Sequence, residues 1–170
     1  YLNCVGIVEN KKWGTEEWTA IGEHKEFLRD FENWHEDIIT LIEHTNPLAC
    51  YKWGLFDRYP LTSWSGGRVA LLGDACHPTL PFLAQGAAMA IEDAAVIADC
   101  LERCEELEIG LKLYESLRKK RTTRIQFISR QNANIFHMSG LLAKLRNKLA
   151  PIILRDRMHW IYNYDPLSVV

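Results

Sequence analysis

The stretch Gly67–Cys100, reading GRVALLGDACHPTLPFLAQGAAMAIEDAAVIADC, constrains this chain more than any other. Arg68–Leu72 is a nearly continuous apolar run with glycine on both sides, the pattern of a central strand in a sheet covered on both faces. Gly73-Asp74 then sets a carboxylate at the carboxyl end of that strand, where open α/β folds bind ligands. Pro78 and Pro81 stiffen the following loop and remove two N–H donors, which leaves carbonyls free to face a ligand. The small residues Ala84, Gly86, Ala87 and Ala88 open a helix predicted over Gly86–Arg103, apolar over much of its girth and expected to be largely buried. The fold class is therefore α/β, or an α+β fragment of such a fold.

The flanking segments supply further elements. Tyr1–Glu9 alternates as a strand, and Glu16–Ile21 is expected to pair back on it as a hairpin, which needs more neighbours to be stable. Lys25–His44 carries a one-sided apolar stripe (Phe27, Leu28, Phe31, Trp34, Ile38, Leu41, Ile42) and reads as helix, with a break at Asn33-Trp34 and an end at Asn46-Pro47. Ala49–Asp57 reads as a strand. Leu107–Met138 reads as one long amphipathic helix or a pair, and Gly140–Leu149 as a short helix that Pro151 breaks.

Several functions are excluded or disfavoured by composition. A net charge of −2 argues against a nucleic-acid surface, and the basic cluster Lys119, Lys120, Arg121, Arg124 reads as a solvated or carboxylate-paired helix face. The five cysteines form no CxxC pair, and His35-Glu36 lacks the second histidine of a zincin helix, so no metal site is expected. Free thiols, no signal peptide and no apolar run of membrane-spanning length lead to the expectation of a cytoplasmic protein.

What the central stretch can hold is an anion. The unpaired N–H groups and positive dipole end of a helix beginning near Gly86 favour negative charge, and Asp74 accepts hydrogen bonds from sugar or polyol hydroxyls. A phosphate is one candidate, and the N1–C2=O edge of a reduced flavin is another. A βα unit that simply packs a small-residue helix on a sheet is the third reading.

The run Gly73–Ala94, GDACHPTLPFLAQGAAMAIEDA, resembles the second FAD-binding motif of the flavoprotein aromatic hydroxylases, single-component FAD monooxygenases. The matching elements are Gly73–Ala75, His77, Pro81, Gln85-Gly86 and Ile91–Ala94. The branch holding salicylate hydroxylases and 6-hydroxynicotinate 3-monooxygenases is the most similar. Weaker likeness extends to Trp18-Thr19, to Asp57–Trp64 and to Tyr114, Arg118 and Arg121.

The resemblance implies FAD as cofactor, NADH or NADPH as reductant, and O2 and a small aromatic acid as substrates. It implies that Gly73 and Asp74 meet the ribityl region and that Pro81 lies against the isoalloxazine ring as the catalytic contact. It implies that backbone N–H groups at Gly86, Ala87 and Ala88 bind the N1/O2 edge, with Glu92, Asp93 and His77 structural. The chain would comprise the C-terminal part of a Rossmann-like FAD-binding domain, part of the substrate-domain sheet, and long C-terminal helices. The corresponding portions are residues 1–57 (substrate sheet with linking helices), 58–104 (FAD-binding part) and 105–170 (helical region). No GxGxxG is present, so a dinucleotide-binding portion outside this chain is the expected partner, and a homodimer is compatible with the family. The competing reading is a non-catalytic relative that keeps the fold for packing or oligomerisation.

Overall fold

The computed structural model describes residues 2–9, 20–153 and 158–169. The chain divides into two compact units, one through Leu55 and one from Phe56 onward.

In the first unit, α1 (His24–Asp30) and α2 (Glu36–Glu43) bracket the break expected at Asn33-Trp34. His35 caps α2, its ring accepting the Asp37 N–H at 3.3 Å. Phe31 anchors the corner, its ring edge-on to Phe27 at 5.3 Å and tilted against Trp34 at 5.1 Å. The predicted strand over Tyr1–Glu9 is not found, because residues 2–9 have no ladder partner among the described residues. The hairpin partner Glu16–Ile21 lies mostly outside the described residues. What remains is a single bridge between Ile21 and Tyr51. That bridge, and a 3-10 turn at Pro47–Ala49, replace the strand expected over Ala49–Asp57. An isolated pair of strands is marginal, and a lone bridge is less than that.

The second unit is built on an antiparallel pair of helices, α3 (Gly86–Arg103) and α4 (Leu107–Phe136), after a two-residue hairpin of β1 (Ser65–Gly66) and β2 (Val69–Ala70). The long central strand expected over Arg68–Leu72 is thus a correction: Val69 is 66% exposed and Leu72 41%. The run is apolar enough for a covered sheet, but the described residues offer it only the hairpin. Glu115 fastens that hairpin to α4, accepting the Ser65 N–H at 3.0 Å and the Ser65 hydroxyl at 2.8 Å.

Helix α3 buries one row, Met89, Asp93, Val96 and Cys100, at spacings of three and four. It is not buried around its girth, since Ile91 is 71% exposed. The facing row of α4 includes Leu111, Tyr114, Arg118, Thr122, Ile125 and Ser129. Gly110 admits the Cys100 carbonyl, which a Cβ there would approach to 3.1 Å. Trp64, Cys76, Val96, Cys100 and Tyr114 make one apolar cluster, and Leu83, Met89, Ile125 and Ile161 make another. Each fully buried aliphatic contributes about 1.5–3 kcal/mol relative to exposure.

Beyond α4, α5 runs Gly140–Ile153 and α6 His159–Tyr162. Pro151 does not end α5 as expected: the helix runs on through Ile153, although the proline has no N–H to donate to the turn before it. Among the described residues no helix is long and apolar enough to cross a membrane.

Candidate functional site

Between β2 and α3 the backbone makes two 3-10 turns, Gly73–Ala75 and Pro81–Leu83. Gly73 holds φ +59°, a left-handed conformation natural to glycine, and a Cβ on it would lie 3.2 Å from that of Ala90. Ala84 adopts φ 51° without being glycine, and its N–H donates to the Pro81 carbonyl at 2.9 Å. Such a conformation costs an alanine on the order of 1 kcal/mol or more, so the surrounding packing over-determines it.

These turns and the start of α3 enclose a cleft of about 510 Å³ lined by Asp74, Thr79, Pro81, Ala84, Gly86, Ala87 and Ala90. No side chain caps α3, and the N–H groups of its first turn have no carbonyl four residues back within the helix. The N-terminal dipole end therefore opens at Gly86 and Ala87, on the wall of the cleft. Asp74 is exposed, and among the described residues its carboxylate has no hydrogen-bond partner. A donor-rich helix end and an acceptor-only carboxylate share one cavity floored by alanine and glycine.

Of the residues singled out from sequence, Asp74, Pro81, Gly86 and Ala87 come together on this lining. Gly73 and Ala88 do not reach it: Gly73 is buried behind the first turn, and Ala88 sits half-buried in the helix. The carbonyls that the prolines were expected to leave free are engaged within the chain. Pro78 O accepts Gln126 Nε2 at 2.9 Å, and Pro81 O accepts Ala84. Thr79 and Ala90 belong to the lining although no pattern marked them.

Behind the cleft, a charged layer separates the two apolar clusters. Asp93, wholly buried, accepts the Gly73 N–H at 3.0 Å, His77 Nε2 at 2.5 Å and Arg118 Nε at 2.7 Å. Arg118 also meets Glu92 at 2.6 Å, and Arg121 pairs with both Glu92 oxygens at 2.8 and 2.7 Å. The Arg121 guanidinium lies 3.7 Å from the Tyr164 ring centroid. Burial pushes the Asp93 carboxyl up, but the bonds from His77, Arg118 and Gly73 outweigh it and hold the group below the ordinary carboxylate range. The basic cluster is thus carboxylate-paired at Arg121, as expected. Arg118, which shares Glu92 with Arg121, was legible only as part of the family likeness.

Cys76, His77 and Asp93 bring their ligand atoms within 4.8 Å of one another. Burial, and then the Asp93 charge, push the Cys76 thiol up to about 12, and Arg118 already occupies the carboxylate. Within the fold these groups already have partners: Asp93 takes His77 and Arg118, and Cys76 Sγ donates to the Gly73 carbonyl at 3.4 Å.

The fold is an α/β unit whose cleft brings an exposed carboxylate and an uncapped helix N-terminus to one lining. Known proteins carry the same unit. The family model described as FAD binding domain matches residues 15–131. A 6-hydroxynicotinate 3-monooxygenase of Pseudomonas fluorescens is 42% identical over 133 residues, covering 77% of this chain and 34% of the relative. A 3-amino-4-hydroxybenzoate 2-monooxygenase of Streptomyces platensis is 35% identical over 166 residues, covering 96% of this chain and 41% of the relative. A solved salicylate hydroxylase substrate complex superposes with a TM-score of 0.71 at 31% identity, over 95% of this chain and 40% of that one. The chain belongs to the FAD-binding domain family of the flavoprotein aromatic hydroxylases, and spans about two fifths or less of these relatives' lengths.

FAD is the cofactor of that family, and the residues present fit its flavin end. A Cβ on Gly86 would meet nothing nearer than Thr79 Cγ2 at 3.7 Å and Asp74 Oδ1 at 4.0 Å, so the helix end is open to a flat ring.

Proposed function

We propose that this chain supplies the flavin-ring half of the site in an FAD- and NAD(P)H-dependent monooxygenase that hydroxylates a hydroxylated aromatic acid. The observation that carries the proposal is the shared cleft: the Asp74 carboxylate and the uncapped N-terminus of α3 open on one cavity. Asp74 would accept hydrogen bonds from the ribityl hydroxyls, with Gly73 shaping the turn beneath it. Pro81 would lie against the isoalloxazine ring. The N–H groups of Gly86 and Ala87 would hold the N1/O2 edge, with Ala88 behind them in the helix, and the helix dipole favours the negative charge of the reduced ring by on the order of 1 kcal/mol.

Bound FAD supplies the two-electron relay between NAD(P)H and O2. The overall balance is ArH + O2 + NAD(P)H + H⁺ giving ArOH + H2O + NAD(P)⁺. Residues 1–57 would contribute to the substrate-binding sheet, and residues 58–104 and 105–170 to the cofactor part and its supporting helices. The dinucleotide half of FAD would be bound by a portion of the protein outside this chain, and a homodimer is compatible with the family. Five unpaired cysteines suit a cytoplasmic setting.

The test uses the full-length protein, titrated with FAD and then assayed for NADH and NADPH oxidation against a panel of hydroxylated aromatic acids. Stoichiometric flavin uptake with substrate-stimulated NAD(P)H oxidation and a hydroxylated product is expected. Flavin uptake without product on any aromatic acid would favour a non-catalytic relative.

A further inference from the structure

The loop that carries Pro81 is held by a row of side chains on α4. Gln126 Nε2 donates to the Pro78 carbonyl at 2.9 Å, Ser129 Oγ to the Leu80 carbonyl at 2.5 Å, and Asn132 Nδ2 to the Phe82 carbonyl at 3.2 Å. The donors recur every three residues, along one side of the helix. The carbonyls they take are every second one. Thr79 and Pro81, the residues between, are the ones that line the cleft. Pro78 and Pro81 have no N–H to offer, so a strand ladder could not hold this segment, and side-chain donors stand in for one. Gln126 and Ser129 are buried, at 1% and 0% exposure, so water is excluded from competing for these bonds. Phe82 is braced further, edge-on to Phe136 at 5.7 Å and to His137 at 5.8 Å.

We propose that Gln126, Ser129 and Asn132 are positioning residues, a clamp that fixes where Pro81 stands against the flavin. None of the three lines the cleft; they act through the loop. The proposal rests on the flavin reading given above.

The test uses the full-length protein with Gln126→Glu and Asn132→Asp, which keep side-chain shape but replace an amide donor by an acceptor oxygen. Asn132 is only partly buried, so Asn132→Asp serves if Gln126→Glu does not fold. Hydrogen exchange of apoprotein amides across residues 79–85 is read first, and the visible circular dichroism and affinity of bound FAD second. Expected are loop exchange faster by about tenfold, a shifted flavin band and an FAD Kd raised about tenfold, with exchange elsewhere in α4 unchanged. Asn132→Gln, which retains an amide donor, should recover most of the wild-type flavin band. Loop exchange and flavin band both matching wild type in the two carboxylate variants would overturn the clamp. So would a flavin change that merely tracks global loss of stability. A wild-type protein that takes up no FAD would sink the flavin reading and with it the positioning role, while loop exchange would still report whether the clamp exists.

Discussion

The backbone N–H of Gly73 donates to the carboxylate of Asp93, twenty residues later, at 3.0 Å. That bond ties the turn bearing Asp74 to the middle of α3, and His77 ties the far end of the same turn to the same oxygen. The placement of the exposed carboxylate in the cleft therefore depends on a buried one behind it.

Asp93→Asn should destabilise the fold strongly. It leaves the buried Arg118 guanidinium without its full counter-charge and weakens both ties to the 73–77 turn. Breaking one side of a buried pair costs roughly 3–5 kcal/mol. Urea unfolding should show the midpoint falling with the slope unchanged; a loss within 1 kcal/mol would contradict the role given to the layer.

Acid should act through the same group. In the unfolded chain Asp93 titrates near the ordinary value of about 3.9, and in the fold it lies lower. Its stabilising contribution is thus complete above pH of about 5 and is lost as pH falls through its folded value. Glu115 behaves alike. Burial opposes its ionised form, but bonds from the Trp64 and Ser65 backbone, the Ser65 hydroxyl and Lys119 hold it low. Urea midpoints measured from pH 7 to 3 should stay level and then drop, and the drop should be shallower in Asp93→Asn. Equal slopes in the two proteins would assign the acid sensitivity elsewhere.

Asp74→Ala should separate binding from stability. The side chain is exposed and has no hydrogen-bond partner among the described residues, so the melting temperature should move little. Losing a charged acceptor for ribityl hydroxyls costs about 1.5–3 kcal/mol, or roughly 10- to 150-fold in FAD Kd. Flavin content after purification of the full-length protein is the readout, and unchanged content would remove Asp74 from the site.

Gly86→Val should likewise spare the fold and damage the cleft. The nearest atoms to a Cβ there, Thr79 Cγ2 and Asp74 Oδ1, are at ordinary contact distance, and Gly86 lines the cleft, so the added bulk falls on the cleft wall. An altered flavin spectrum or lost reduction by NADH is expected, with apoprotein unfolding nearly unchanged. A wild-type spectrum would place the flavin edge elsewhere.

The helices were legible in sequence because each carries its own evidence: the stripe Phe27–Ile42 with its break, Gly86–Arg103 opening on small residues, and the long period after Leu107. The cleft was legible because Gly73–Ala87 is contiguous in the chain. The strands were not, since Val69–Leu72 and residues 2–9 read as sheet by composition, and pairing depends on neighbours that local pattern does not specify. The loop carbonyls were misread for a similar reason. The donors that take them, Gln126, Ser129 and Asn132, lie some fifty residues away, and nothing within Pro78–Phe82 announces them.

The charged layer between the two apolar clusters also acts as a vernier for α3 and α4. Leucine-like contacts tolerate sliding, but a slip of one helical turn, about 5.4 Å, would part Asp93 from Arg118 and strand both charges in a dry interior. The helix pair has one admissible alignment, and the 73–77 turn is keyed to it. In transplanting a cofactor cleft between relatives, α3, α4 and that turn would have to travel as one cassette, because a mismatched helix pair would leave a buried charge unpaired and the turn without its anchor.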